Sequence, residues 1–304
     1  MDTLWHHDPA RAYADWQARE AAGADRRPFS QQSIVQHRAM FDRFHRYLVG
    51  RGTTLANFGA DVLDGFWLDG EAAQYSAATR MRYLKLIDRL CRHLVVIGIR
   101  DANPASEHVR GQRWPVDDPE PLFLPEDVDQ RLQDFVRPQP DDDPARLQKR
   151  AIVTLFLGTG ATSSEGRAAR LQDLHPQASP PYLHVPARPP RVSRTVHLEP
   201  FAVATLTDWL SVRRGLSVNG DLLFTLKQSG TPITDMSLGK IVREAFAAIG
   251  YESEDMSPRI LRNTYCRRQL LYGVTPDAVS ERLGLASNRT VVRIAATIDS
   301  AKVR

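Results

Sequence analysis

Two short stretches, "YLHVPA" (182–187) and "RTVHLEP" (194–200), alternate apolar and polar residues at the period of a strand. A period of two puts every second side chain on one face, and the β-branched content suits a pleated surface. With "RPPRVS" (188–193) between them, they are expected to form a hairpin with that hexapeptide at its tip. The other periodic segments repeat at helical spacing. The sheet is therefore a small insertion, and the expected fold class is mostly α with a small β-sheet.

The helical text falls into two blocks. In "SQQSIVQHRAMFDRFHRYLVGRG", Ile34, Phe41, Phe44 and Leu48 share a face, and Gly50 and Gly52 close the helix. "ANFGADVLDGFWLD" is a short helix burying Val62, Leu63, Phe66 and Trp67. "SAATRMRYLKLIDRLCRHLVVIG" opens on a Ser76 cap and buries Leu84, Ile87, Cys91 and Leu94. Its other face carries Arg82, Lys85, Arg89 and Arg92 as one stripe. Pro104 ends this block, and the Pro- and acid-rich text that follows is read as a linker. Apolar helices resume at "ARLQKRAIVTLFLGTGATSSEGRAARLQDL", with "PQPDDDP" (138–144) as an exposed loop before it. The boundaries expected are an N-terminal arm or short helix at 1–30, a helical domain at 31–112, a linker at 113–124 and a second domain at 125–304.

A length of 304 residues with 42% hydrophobic content suits two such cores. No apolar run approaches the roughly 20 residues of a membrane span, and the first residues lack a signal-peptide pattern. A cytoplasmic, nucleoid-associated protein without membrane contact is expected. Cys91 and Cys266 are read as buried, reduced thiols. His6, His7, His37 and His45 show no metal-ligand spacing, so neither metal nor cofactor is expected. The net charge of +4 is unevenly placed. Residues 38–100 hold ten Lys/Arg against six acids, 114–144 two against ten, and 257–304 nine against three. Two basic regions flanking an acidic connector point to a polyanion, nucleic acid first. Charge counts alone would equally describe solvated helix faces.

Three local motifs, in this order and spacing, resemble the tyrosine recombinase, or phage integrase, family. "LFLGTGATSSEGRAARLQDL" is similar to its first box, "RILRNTYC" to its second, and "LGLASNRTVVRIAA" to its closing box. The likeness runs from about 30 to 300. It implies a two-domain architecture, a helical core-binding domain and a catalytic-like α+β domain. The family's chemistry is attack of a tyrosine on a DNA phosphodiester, assisted by arginines and other basic groups.

The chain departs from the family at the residues that carry that chemistry. Thr162 stands at the first-box arginine position, although Glu165 beside it is kept. In the second box Arg259 stands for a histidine, Arg262 is the expected arginine, and Asn263 stands for another histidine. Leu285 replaces the closing-box histidine and Ile294 the nucleophilic tyrosine. The hairpin lysine falls where Arg188 is the nearest cation. Isoleucine has no nucleophilic atom, and no tyrosine follows Tyr272. Tyr265 and Tyr272 lie in the second-box segment, which the family uses as core. No catalytic residue is assigned, and recombination by this chain alone is not expected.

What the resemblance leaves is a set of DNA-binding cations: Arg43, Arg46, Arg82, Lys85, Arg89, Arg188, Lys240, Arg243, Arg259 and Arg262, with Arg267 and Arg268 behind the last two. The plainer reading makes Arg89 and Arg92 solvated charges paired with Asp88 or Glu71, and Glu165 a structural partner of a buried basic group. The function expected is a non-catalytic, sequence-specific binder of double-stranded DNA, a regulator or repressor linked to a mobile element or prophage. A homo-oligomer on DNA fits this reading. The alternatives are an accessory subunit of an active recombinase and a recombinase with a relocated nucleophile at Tyr265 or Tyr272. Family members exchange C-terminal segments between neighbours, and the ten residues "AATIDSAKVR" after Ile294 would make such exchange weak.

Overall fold

The computed structural model describes residues 4–19, 29, 31–110, 120–188, 192–226, 229–253, 255–285 and 287–302, apart from the side chains of Gln32 and of residues 299–302. Two compact units divide the chain, Met1–Asp118 and Pro119–Arg304. Most of the expected linker, and the middle of the hairpin tip at 189–191, lie outside the described residues.

The first unit is helical: α1 Leu4–His7, α2 Pro9–Arg19, α3 Gln31–Gly50, α4 Ala60–Phe66, α5 Ala77–Val96 and α6 Ser106–Arg110, with a 3-10 turn at Gly70–Gln74. Its core is aromatic. Tyr13 of α2 stacks on Phe41 of α3 with ring centroids 4.0 Å apart, and Phe44 meets Phe58 and Phe66 edge to face. Within the segment read as an arm or a short helix, the described residues 4–19 form two helices whose Trp5, Tyr13 and Trp16 belong to this core. Three aromatic side chains substitute there for the aliphatic periodicity that would have marked the segment. On α5, Ser76 accepts the Thr79 N–H as the N-cap, and Leu84, Ile87, Cys91 and Leu94 are buried. Arg100 is buried as well. It donates to the carbonyls of Leu55 and Phe58 at 3.0 and 2.9 Å, and its guanidinium lies over the Phe58 ring. A cation supplies the backbone partners that the 55–58 turn lacks in an apolar setting.

The second unit is built around α8 (Pro144–Thr159), preceded by α7 (Glu126–Phe135). Asp143 caps α8 by accepting the Arg146 N–H, and Pro144 begins it. Every residue from Ala151 to Gly160 is buried, because α10 (Pro200–Gly215), α11 (Asp235–Ala248) and α12 (Pro258–Leu271) all pack on this helix. Gly160 ends it with φ of +62°, and a Cβ there would stand 2.6 Å from both Leu283 and Tyr265, so glycine is required twice over. After α9 (Ser163–Ala168), β1 (Leu174–His175), β2 (Tyr182–Val185) and β3 (Arg194–His197) form an antiparallel sheet in sequence order. Leu183 pairs with Val196 and Leu174 pairs with Leu183, which puts one apolar face on the core. The first strand has only two residues, too few to show a period. α13 (Pro276–Arg282) and α14 (Arg289–Lys302) close the unit.

Arg268 of α12 binds Asp129 of α7 through paired bonds of 2.9 and 2.7 Å and donates to the Leu157 carbonyl, all within the core. Arg268, expected behind Arg259 and Arg262 in the set of DNA-binding cations, is instead a core residue that joins three helices. Asp129→Asn should lower the unfolding free energy by about 3–5 kcal/mol, since it leaves a buried guanidinium uncompensated. Denaturant unfolding checks this, and a loss below about 1 kcal/mol would show the pair to be replaceable.

Candidate functional site

The three boxes converge in the second unit on one polar cluster. Thr162 caps α9: its hydroxyl accepts the Glu165 N–H, and its own N–H donates to Glu165 Oε2 at 2.8 Å. Arg194 reaches across from β3 and donates to both Glu165 oxygens at 2.8 and 2.9 Å. Its Nε donates to the carbonyl of Arg282, the last residue of α13, at 2.9 Å. The basic partner of Glu165 is thus Arg194, with side-chain exposures of 8% and 5% for the two groups. Burial alone would raise the Glu165 carboxyl, but the Arg194 and Thr162 hydrogen bonds outweigh it and hold it at about 2. Arg194 was not singled out from sequence. The available signal was a retained Glu165 without its neighbouring arginine, which needs a cation from elsewhere in the fold.

Arg262 is half-buried, and its two terminal nitrogens donate to the main-chain carbonyls of Gly160 and Leu283. It ties the turn after α8 to the end of α13. Arg188 is exposed and donates to the Ser164 carbonyl at 2.9 Å. Arg259 is exposed, and its Nε and Nη2 both donate to Asp255 Oδ2, at 3.1 and 2.9 Å. Asn263 donates to the Leu122 carbonyl, and Leu285 packs against the core. Ile294 of α14 is 0% exposed within that core. Burial pushes the Tyr265 hydroxyl up to about 12 and also raises that of Tyr272, although Tyr272 as a residue is 66% exposed. Arg267, expected behind Arg259 and Arg262, lies over Phe123 and donates to Thr297 Oγ1 at 3.0 Å.

On α5 of the first unit, Arg82 and Lys85 are exposed as the stripe required. Arg89 departs from that stripe. Its guanidinium is half-buried over the rings of Phe29 and Trp16, 4.6 and 5.5 Å from their centroids, and burial lowers its pKa. The spacing put Arg89 on the polar face, but α2 covers that part of the helix. Arg92 is exposed and paired with Asp88 at 2.5 Å. On α3, Arg46 is exposed, and Arg43 lies 3.6 Å from Glu71 with Nη1 donating to the hydroxyls of Tyr75 and Tyr83. Lys240 and Arg243 are exposed on α11, with Lys240 3.8 Å from Glu244. Among the described residues, no group of three or more His, Cys, Asp or Glu is placed to hold a metal ion, and no helix is long and apolar enough to cross a membrane.

The Glu165 pKa lies below its ordinary value of 4.5, so its stabilisation is present above that pH and is lost as pH falls toward about 2. The full contribution is about 3 kcal/mol at order of magnitude. Melts taken from neutral pH down to about pH 2.5 should give a steeper acid limb for the native protein than for Glu165→Gln. Superimposable limbs would contradict an ionised, buried Glu165.

The profile described as "Phage integrase family" matches residues 123–299, more than half of the chain. A tyrosine recombinase XerC of Roseiflexus castenholzii is 24% identical over 273 residues, covering 88% of this chain and 83% of that protein. A tyrosine recombinase XerD of Mycobacterium tuberculosis is 26% identical over 277 residues, covering 85% of each. Among solved structures, the XerH site-specific recombinase bound to palindromic difH substrate aligns with a TM-score of 0.71 at 18% identity, covering 97% of this chain and 87% of that one. A lambda integrase dimer bound to a COC′ core site aligns at 0.67 and 15% identity, covering 95% and 94%. At these identities the structural likeness speaks for the two-domain fold. The chain belongs to the phage integrase family.

Proposed function

We propose that this protein binds double-stranded DNA in a sequence-specific way without cleaving it, and acts as a transcriptional regulator or repressor tied to a mobile element or prophage. One observation supports the reading: Ile294, which the closing-box resemblance sets at the family's tyrosine position, has 0% exposure in the core of the second unit. No attacking oxygen is available from that side chain. Thr162, at the first-box arginine position, spends its hydroxyl on the α9 cap, and Leu285 offers no proton donor. Each such group commonly contributes orders of magnitude to transition-state stabilisation, so their joint loss is more than slow chemistry.

The cations left exposed support binding. Arg82, Lys85, Lys240 and Arg243 present charge to solvent on long helices, and the relatives are recombinases, several of them solved on DNA. Such contacts give affinity that falls with salt, at a slope of roughly 0.9 per phosphate neutralised. An accessory role beside an active recombinase is the second reading, favoured by alignment over 83% or more of two recombinases' lengths. Both readings place the protein on DNA and differ in where it sits.

Mapping of crosslinked fragments in the native cells should find a few promoter sites; paired element ends would favour the accessory reading. On a recovered site, Arg82→Ala with Lys85→Ala should reduce the slope of log affinity against log salt by about 2. Absence of duplex binding at low salt would end the proposal.

A further inference from the structure

The first unit holds a cleft that includes Arg43 and Arg46, two of the cations expected to meet DNA, together with aromatic rings and carboxylates that a phosphate backbone alone does not call for. It has a volume of about 420 Å³ and lies between the C-terminal half of α3 and the turn that follows α4. That volume falls within the roughly 300–1,000 Å³ of small-molecule sites. Three guanidiniums line it, those of Arg43, Arg46 and Arg51, with the rings of Tyr47 and Tyr75 and the carboxylates of Asp69 and Glu71. The two ion pairs inside it are long: 3.6 Å for Arg43–Glu71 and 3.9 Å for Arg51–Asp69, with all four side chains 46% exposed or more. Pairs of that kind hold weakly, and a phosphate can draw the guanidiniums away from them.

The rings are more firmly placed than the charges. Tyr47 meets Phe66 edge to face at 5.2 Å, and its hydroxyl stands 2.7 Å from where a Cβ on Gly65 would be, so a side chain there would push the hydroxyl aside. Tyr75 stacks with Tyr83 at 5.3 Å, and the two hydroxyls, 3.3 Å apart, receive Nη1 of Arg43. Arg51 lies 5.2 Å from the Tyr47 ring centroid. Guanidinium forks match phosphate oxygens, fixed aromatic faces take a flat heterocycle, and carboxylates accept from sugar hydroxyls or an exocyclic amine. We propose that this cleft is a nucleotide site: Arg43, Arg46 and Arg51 take the phosphate, Tyr47 or Tyr75 stacks with the base, and Asp69 or Glu71 accepts from the sugar or base. The same chemistry belongs to a free nucleotide and to an unstacked nucleotide of a DNA strand.

The test is calorimetric titration of the full chain, without DNA, by adenosine and guanosine 5′-monophosphates. Adenosine and inorganic phosphate are titrated separately as half-ligands. One saturable site per chain is expected, with each half-ligand binding about tenfold or more weakly. Arg46→Ala with Arg51→Ala should weaken the nucleotide about tenfold, and Tyr47→Leu severalfold, with helical circular dichroism unchanged. No saturable heat into the millimolar range, phosphate alone matching the nucleotide, or an unaltered affinity in the arginine variant would overturn the site. Displacement of bound nucleotide by duplex at low salt assigns the cleft to a strand nucleotide, and retention assigns it to the free one. Because the primary titration contains no DNA, its failure leaves the proposed DNA binding untouched, and the reverse holds.

Discussion

The guanidinium of Arg194 is the tie on which the polar centre of the second unit depends. It leaves β3, saturates the Glu165 carboxylate at the start of α9 and closes on the last carbonyl of α13. Three elements distant in sequence meet on one planar group. Arg262 repeats the device nearby, joining the turn after α8 to the end of α13 through main-chain carbonyls. Buried charge of this kind is tolerated only when every donor finds a partner, which makes the cluster a joint rather than a reservoir of free cations. Under the proposed function, a cluster built this way retains its shape without the groups that would act on a phosphodiester.

The division of cations by partner follows from the same physics. Arg268, Arg100 and Arg89 turn inward, onto Asp129, onto backbone carbonyls and onto aromatic rings respectively. Arg259 is exposed but held by Asp255. Arg46, Arg82, Lys85, Lys240 and Arg243 are exposed on long helices. A salt-dependent DNA affinity would draw first on exposed cations of this kind, and far less on the count of basic residues in each region.

Much of the fold was legible because helix periodicity and caps are local. The Ser76 cap, the apolar face of α5 and the β2–β3 pairing follow from neighbours within a few residues. What escaped was set by distant partners. The inward turn of Arg89 depends on α2, whose own burial rests on Tyr13 and Trp16 rather than an aliphatic repeat. Arg194 reads as a strand residue until Glu165 is seen beside it, twenty-nine positions away. Ile294 is set at the nucleophile position by the closing-box resemblance alone, and its side chain is fully buried in the core. The cleft around Tyr47 could not be read at all, since its walls come from α3 and the 66–75 segment together.

Under the proposed function, this chain holds DNA without forming a covalent bond to it. The most direct measurement incubates the protein with a nicked duplex carrying its own genomic site, designed so that a cleaved strand cannot religate, and separates the products under denaturing conditions. The account requires full occupancy in a parallel native gel and no covalent protein–DNA species. A covalent species that disappears in Tyr272→Phe or Tyr265→Phe would contradict it, and would give the chain a nucleophile outside the Ile294 position.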